Sequence, residues 1–207
     1  MKCRISHDGT EVTAVAGETV RIPTSACPAA ASMLAELVGT PLDTLVRELY
    51  RGHSPQSHCT HLFDLAVLAI RHASLPPHAT DYEATVPDEL DCPVTASVSR
   101  DGEVVQEWEV REGKIVSPER FRGNTLGKGF AAWAATAFEE ADLEAATVLA
   151  RTWLIAIGRR YLTEQSAGQP ITENIEMIGR CFAYSAERAA FAVFTKGQRQ
   201  DDPAALS

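Results

Sequence analysis

The chain has 207 residues, 45% of them hydrophobic and 23% charged, with a formal net charge of −9. This length suits one elaborated domain or two small ones, with enough apolar side chains for a real core. The acidic balance repels phosphate backbones and so argues against a nucleic-acid binder, and no uncharged apolar run is long enough to span a membrane.

Taken in chain order, residues 2–6 alternate, with Cys3 and Ile5 on one face, and the turn signal HDGT follows. The stretch EVTAVAGETVRI (11–22) reads as strand, bend at Gly17, strand, which makes an antiparallel meander. In TSACPAAASMLAELVG, Pro28 suits the first helical position and puts Cys27 at the N-cap; Ala30, Met33, Leu34, Leu37 and Val38 form the apolar stripe, and Gly39 ends the helix. Residues 41–52 predict a second helix. Thr60 to His72 predicts a third, apolar nearly all round and therefore central.

A polar, proline-containing connection covers 74–93. Residues 94–116 then predict a β-hairpin with a DG turn and room for a further strand. One helix is expected from about 129 and a long one over 142–164, with Asp142 near its start and Arg159-Arg160 in its last turns, as the helix dipole favours. Residues 165–180 read as loop, 180–195 as a strand pair or a short helix, and 196–207 as a disordered tail.

Five cysteines, at Cys3, Cys27, Cys59, Cys92 and Cys181, are odd in number, widely spread and without a CxxC pair, which is not a disulfide framework. The N-terminus MKCRISHDGT has no apolar signal region, so the expected location is cytoplasmic. Cys27 and Cys59 stand at predicted helix starts, where the dipole and unpaired N–H groups favour a thiolate; the other three read as filler. His61 and Asp64 are three apart on one helix face, so the carboxylate can orient the imidazole. His58 and His53 lie just upstream. If the first and third helices converge, Cys27, Cys59 and His61 supply three ligands for zinc or iron with an open position, or a Cys–His nucleophile pair that needs no metal. The plainer reading makes each cysteine a small buried hydrophobe. The glycine run RGNTLGKG (122–129), with Arg122 and Lys128, offers a weak phosphate cradle that lacks the P-loop spacing. Trp108, Trp133 and Trp153 read as core or as the wall of an apolar pocket.

Residues 2–73 resemble the iron–sulfur scaffold and sulfur-acceptor group, the IscU, NifU and SufE proteins: strands lead into TSACPAAASMLAELVG, where that group has a Cys-Gly pair opening a helix, and SHCTHLFDLAVLAIRHA matches its His-Cys-Ser. The resemblance places Cys27, His58 and Cys59 on or near cluster-ligand positions, although the chain lacks the scaffolds' Cys-Gly-Asp ahead of the first strand. A broader resemblance covers VTAVAGETVRIPTSACPAAASMLAELVGTPL, HCTHLFDLAVLA, VTASVSRDGEVVQEWEV, GKGFAAWA and ARTWLIAIGRRYL, blocks similar to those of an uncharacterised bacterial domain family. That family looks common in bacteria that degrade aromatic and steroid compounds, which implies small-molecule catabolism.

The expected fold is therefore α+β: a small antiparallel sheet with helices over 1–75, as in SufE and NifU, extended over 76–195 by a hairpin and two helices that share the same core. The expected function is an enzyme acting on a small aromatic or apolar intermediate. It would be a lyase cleaving a carbon–carbon bond to release a small aldehyde, with His61 as acid–base group, Asp64 orienting it, and Cys27 and Cys59 as a polar wall, an acid–base partner or metal ligands. The alternatives are a metal- or sulfur-handling protein holding zinc or an iron–sulfur cluster on Cys27, Cys59 and His61, with a homodimer able to supply a missing ligand, and a non-catalytic binding module. The expected partner is a small-molecule substrate, with no nucleic acid and no membrane.

Overall fold

The alternating N-terminal residues form strand β1 (Lys2–His7), which pairs antiparallel with β2 (Val12–Glu18) in a two-stranded sheet. This is a computed structural model, and it describes residues 1–53, 57–76, 78–88, 92–159 and 165–196. The expected second strand after Gly17 is absent: β2 runs through Gly17, and Val20 beyond it is 56% exposed. Gly17 serves close approach here. A Cβ at this position would lie 3.0 Å from Leu34 Cδ1, so only glycine lets the neighbouring helix pack against the strand.

That helix covers Cys27–Leu37 and is a run of 3₁₀ turns rather than an α-helix, with Pro28 in its first turn and Cys27, Ala30, Leu34 and Leu37 buried. Ala26, not Cys27, is its N-cap residue. Helix α1 (Val46–Gly52) is shorter than expected, and α2 (Thr60–Ala73) agrees with the predicted third helix, with Cys59 as its N-cap residue. Its fully buried positions Leu62, Phe63, Ala66, Val67 and Ile70 follow the helical period, the others are half-buried, and His61 alone in this helix is exposed.

The chain divides into two compact units: 79–161, and the flanking segments 1–78 and 162–207. The C-terminal segment, expected with the hairpin half, groups with the N-terminal one. It contains short 3₁₀ turns at Ile171–Glu173, Ile175–Met177 and Phe182–Tyr184 and a single helical turn, α5 (Ala186–Ala189). Bridges Thr24↔Phe194 and Pro170↔Val193 tie it down, and Phe182 N–H donates to the carbonyl of His58 at 3.0 Å. Two clusters of buried side chains form this unit's interior. One centres on Leu34, Leu62, Phe63 and Ile70 and includes Cys59 and Phe182; the other gathers Cys27, Ile171, Tyr184 and Phe194, with Cys181 packed against it.

The second unit is a four-stranded antiparallel sheet in the order β3 (Tyr82–Thr85), β4 (Val94–Arg100), β5 (Glu103–Arg111), β6 (Lys114–Ser117). The hairpin reading of 94–116 is correct. Its Asp101-Gly102 turn has positive φ at both residues (53° and 86°), the twist that a two-residue hairpin loop requires. Strand β3 lies inside the segment read as a connection; it is too short, and too closely flanked by polar residues and proline, to show a period. Helices α3 (Phe130–Ala137) and α4 (Glu140–Arg159) follow; Arg160 and the tail 197–207 lie outside the described residues. Ala96, Val98 and Trp108 from the sheet and Ala145, Leu149 and Trp153 from α4 share one core. Trp108 lies 6.2–6.4 Å from the rings of Phe121, Phe130, Trp133 and Phe138. In the glycine run 122–129, Arg122 Nε lies 2.6 Å from Glu119 Oε2. The architecture is α+β, with these two antiparallel sheets and their helices.

Candidate functional site

The loop entering α2 carries His53 and His58, and Glu36 stands on the last turn of the 3₁₀ run. The fold brings the three together. Glu36 Oε2 is 3.6 Å from His53 Nδ1 and 3.4 Å from His58 Nε2, and one ligand atom from each residue lies within 4.8 Å of the other two. Among the described residues this is the group of histidine, cysteine or acidic side chains able to hold a metal ion.

Phe63, from the buried face of α2, forms the floor. Its ring lies 5.1 Å from that of His53 and 4.9 Å from that of His58, and Tyr50 meets it edge-on at 5.6 Å. His58 is 2% exposed, and neither of its ring nitrogens has a hydrogen-bond partner. Its separation from Glu36 exceeds a normal hydrogen bond of about 2.7–3.2 Å. Burial pushes the His58 pKa below its ordinary 6.5, with the Glu36 carboxylate opposing and His53 reinforcing the shift, so the imidazole is held neutral, the form that binds metals. Glu36 and His53 also line an open depression of about 400 Å³ with Val38, Thr40, Pro41, Thr44, Glu48 and Leu49, while His58 closes the group from the inside.

The residues singled out in the sequence are distributed differently. Cys27 and Cys59 are both buried, at 7% and 8% exposure. Burial raises both thiols above the usual range. For Cys27 it outweighs the Thr24 hydroxyl, 3.2 Å from its Sγ; for Cys59 it outweighs the backbone N–H groups of Leu62 and His61 at the start of α2. The thiolate-stabilising effect expected at a helix start is therefore present at Cys59 but smaller than the cost of burying charge. The two thiols interact electrostatically with each other and with Cys181, which sequence reasoning set aside as filler. Tyr184 joins them, its pKa pushed up to about 12 chiefly by burial. His61 is exposed, with Nδ1 3.9 Å from Cys59 Sγ, and Asp64 accepts a hydrogen bond from the Tyr50 hydroxyl at 2.6 Å. Cys27, Cys59 and His61 do not form a set with mutually close ligand atoms among the described residues.

His53 and His58 were visible in sequence as histidines upstream of α2, but Glu36 was not: it looks like any solvated carboxylate on a helix.

Residues 1–74, which include all three members of the group, match a family described as a protein of unknown function (DUF2889). The first part of the chain is thus similar to an uncharacterised domain family. No curated protein and no solved structure matches the chain.

Proposed function

We propose that the first unit binds a divalent transition-metal ion through Glu36, His53 and His58 and uses it in hydrolytic or lyase chemistry on a small molecule. The observation that carries this reading is His58: a 2%-exposed imidazole with both nitrogens unbonded, set 3.4 Å from a carboxylate. Leaving such a group unsatisfied costs roughly 1–3 kcal/mol, which a metal bond would offset. The spacing supports the same reading. Donors about 2.0–2.2 Å from a tetrahedral ion stand roughly 3.3–3.6 Å apart, and the Glu36–His58 and Glu36–His53 separations are 3.4 and 3.6 Å. Two imidazoles and a carboxylate suit zinc or ferrous iron rather than magnesium or calcium, which prefer all-oxygen sites. Three protein donors leave a position open, as in catalytic centres, where a bound water becomes acidic enough to react near neutral pH.

The test is metal content and thermal unfolding with and without zinc or ferrous iron. Ion at about one hundred times its Kd is expected to add ~2.7 kcal/mol of stability, reversed by a chelator. A Glu36→Ala, His58→Ala double variant loses both the metal and the stabilisation. A parent protein that takes up neither ion, or a double variant that keeps it, overturns the reading.

The sulfur-handling alternative has the gathering of Cys27, Cys59 and Cys181 in its favour. A brown chromophore in anaerobically purified protein, lost in a Cys27→Ala, Cys59→Ala variant, would mark it.

A further inference from the structure

We infer that the open side of this centre receives the neutral or positively charged head of a ligand and turns anions away, and that Glu48 sets the preference. The inference rests on reading Glu36, His53 and His58 as a metal centre and goes on to the chemistry of what the centre meets.

The direction of the open position follows from what fills the others. His58 is buried, and the Phe63 ring packs against both imidazoles. The two members that reach the surface, Glu36 and His53, both line the depression. A fourth ligand therefore arrives through the depression, whose walls can be read residue by residue.

Val38, Pro41 and Leu49 are apolar, Thr40 and Thr44 bring hydroxyls, and the charged residue besides the centre's own is Glu48. Among the described residues no lysine or arginine lines it. Three backbone N–H groups of the lining are already engaged. The N–H groups of Gly39, Thr40 and Thr44 donate inward to the carbonyls of Val12, Leu37 and Pro41. An anion entering here meets two carboxylates, which together cancel the charge of a divalent ion, and no lysine or arginine among the described lining residues. A ligand with a neutral donor, or one carrying a cation beyond its donor, meets the Glu48 carboxylate favourably instead. Phosphate esters and free carboxylic acids are thereby the disfavoured substrate classes; neutral and amine-bearing molecules are the favoured ones.

The experiment uses cobalt(II) as a coloured ion and three probes that share one donor and differ in charge: an imidazole with a trimethylammonium tail, imidazole itself, and an imidazole with a carboxylate tail. Each is titrated into the cobalt-loaded full chain while the visible spectrum is followed. The cationic and neutral probes are expected to bind about tenfold more tightly than the anionic one. Glu48→Gln levels the series and Glu48→Lys reverses it. Thr44→Lys, which brings a positive charge from a second wall residue, shifts it the same way should Glu48→Lys not fold. A parent that shows no cobalt spectrum overturns the metal reading and this inference with it. A cobalt spectrum that no probe perturbs, a charge-independent series in the parent, or an order left unchanged by both lysine variants overturns this inference alone.

Discussion

In the second unit the buried polar side chains are Gln106 and Glu144. Gln106 accepts the Trp108 indole N–H at 3.3 Å, and Glu144 bonds the Tyr82 hydroxyl, whose pKa stands near 12 through burial first and that carboxylate second. In the first unit Thr24 is likewise engaged, with Cys27, but His58 is buried with neither nitrogen bonded. Buried polar groups in proteins are ordinarily paired; in the second unit Arg100 Nη1 is also buried without a hydrogen bond, but its side chain is 28% exposed and lies 3.9 Å from Asp142, whereas the whole His58 side chain is buried.

The contrast can be broken at its packing end first. Trp108→Ala removes the ring around which four others are arranged and is expected to cost about 3–5 kcal/mol. All three tryptophans lie in the second unit, so indole fluorescence in a urea titration reads its unfolding directly. A loss below about 1 kcal/mol would mean that the aromatic cluster does not organise this unit.

At the other end, His58→Leu replaces an unsatisfied imidazole by an apolar side chain. Metal-free protein carrying it should be at least as stable as the parent, and up to about 1 kcal/mol more so, while the stabilisation by zinc disappears. A variant that is less stable by about 2 kcal/mol or more would show that the imidazole is already satisfied in the free protein. The same substitution sharpens a smaller effect. Because the folded-state pKa of His58 is depressed, the unfolded chain takes up the proton first; the folded state keeps its full stability above pH 6.5 and loses it as pH falls below that value. The metal-free parent should therefore lose stability between pH 7 and 5 more steeply than His58→Leu, compared by urea midpoints at each pH. Identical slopes would place the imidazole in water.

Much of the fold was readable because it is local. The period of 60–73 announced α2, and the DG turn between alternating segments announced the β4–β5 hairpin. Strand β3 was hidden because it is stabilised by its neighbour β4 rather than by its own pattern. The helix at 27–37 was located correctly, but its 3₁₀ geometry was not. The candidate centre was half legible. The sequence marked the histidines and the cysteines and offered burial as the plainer reading of the cysteines, but not for His58; burial is what keeps the two thiols protonated and makes His58 the interior member of a cluster.

The hydrogen bond from Phe182 to the His58 carbonyl has a consequence for the order of events at the ribosome. Residues 79–161 are contiguous and can complete their sheet as soon as α4 has emerged. The unit synthesised first must wait until last, because its second buried cluster needs Ile171, Tyr184 and Phe194. During that interval the segment matching the known family exists without the bond from Phe182 to the His58 carbonyl and without Phe182 in its first cluster.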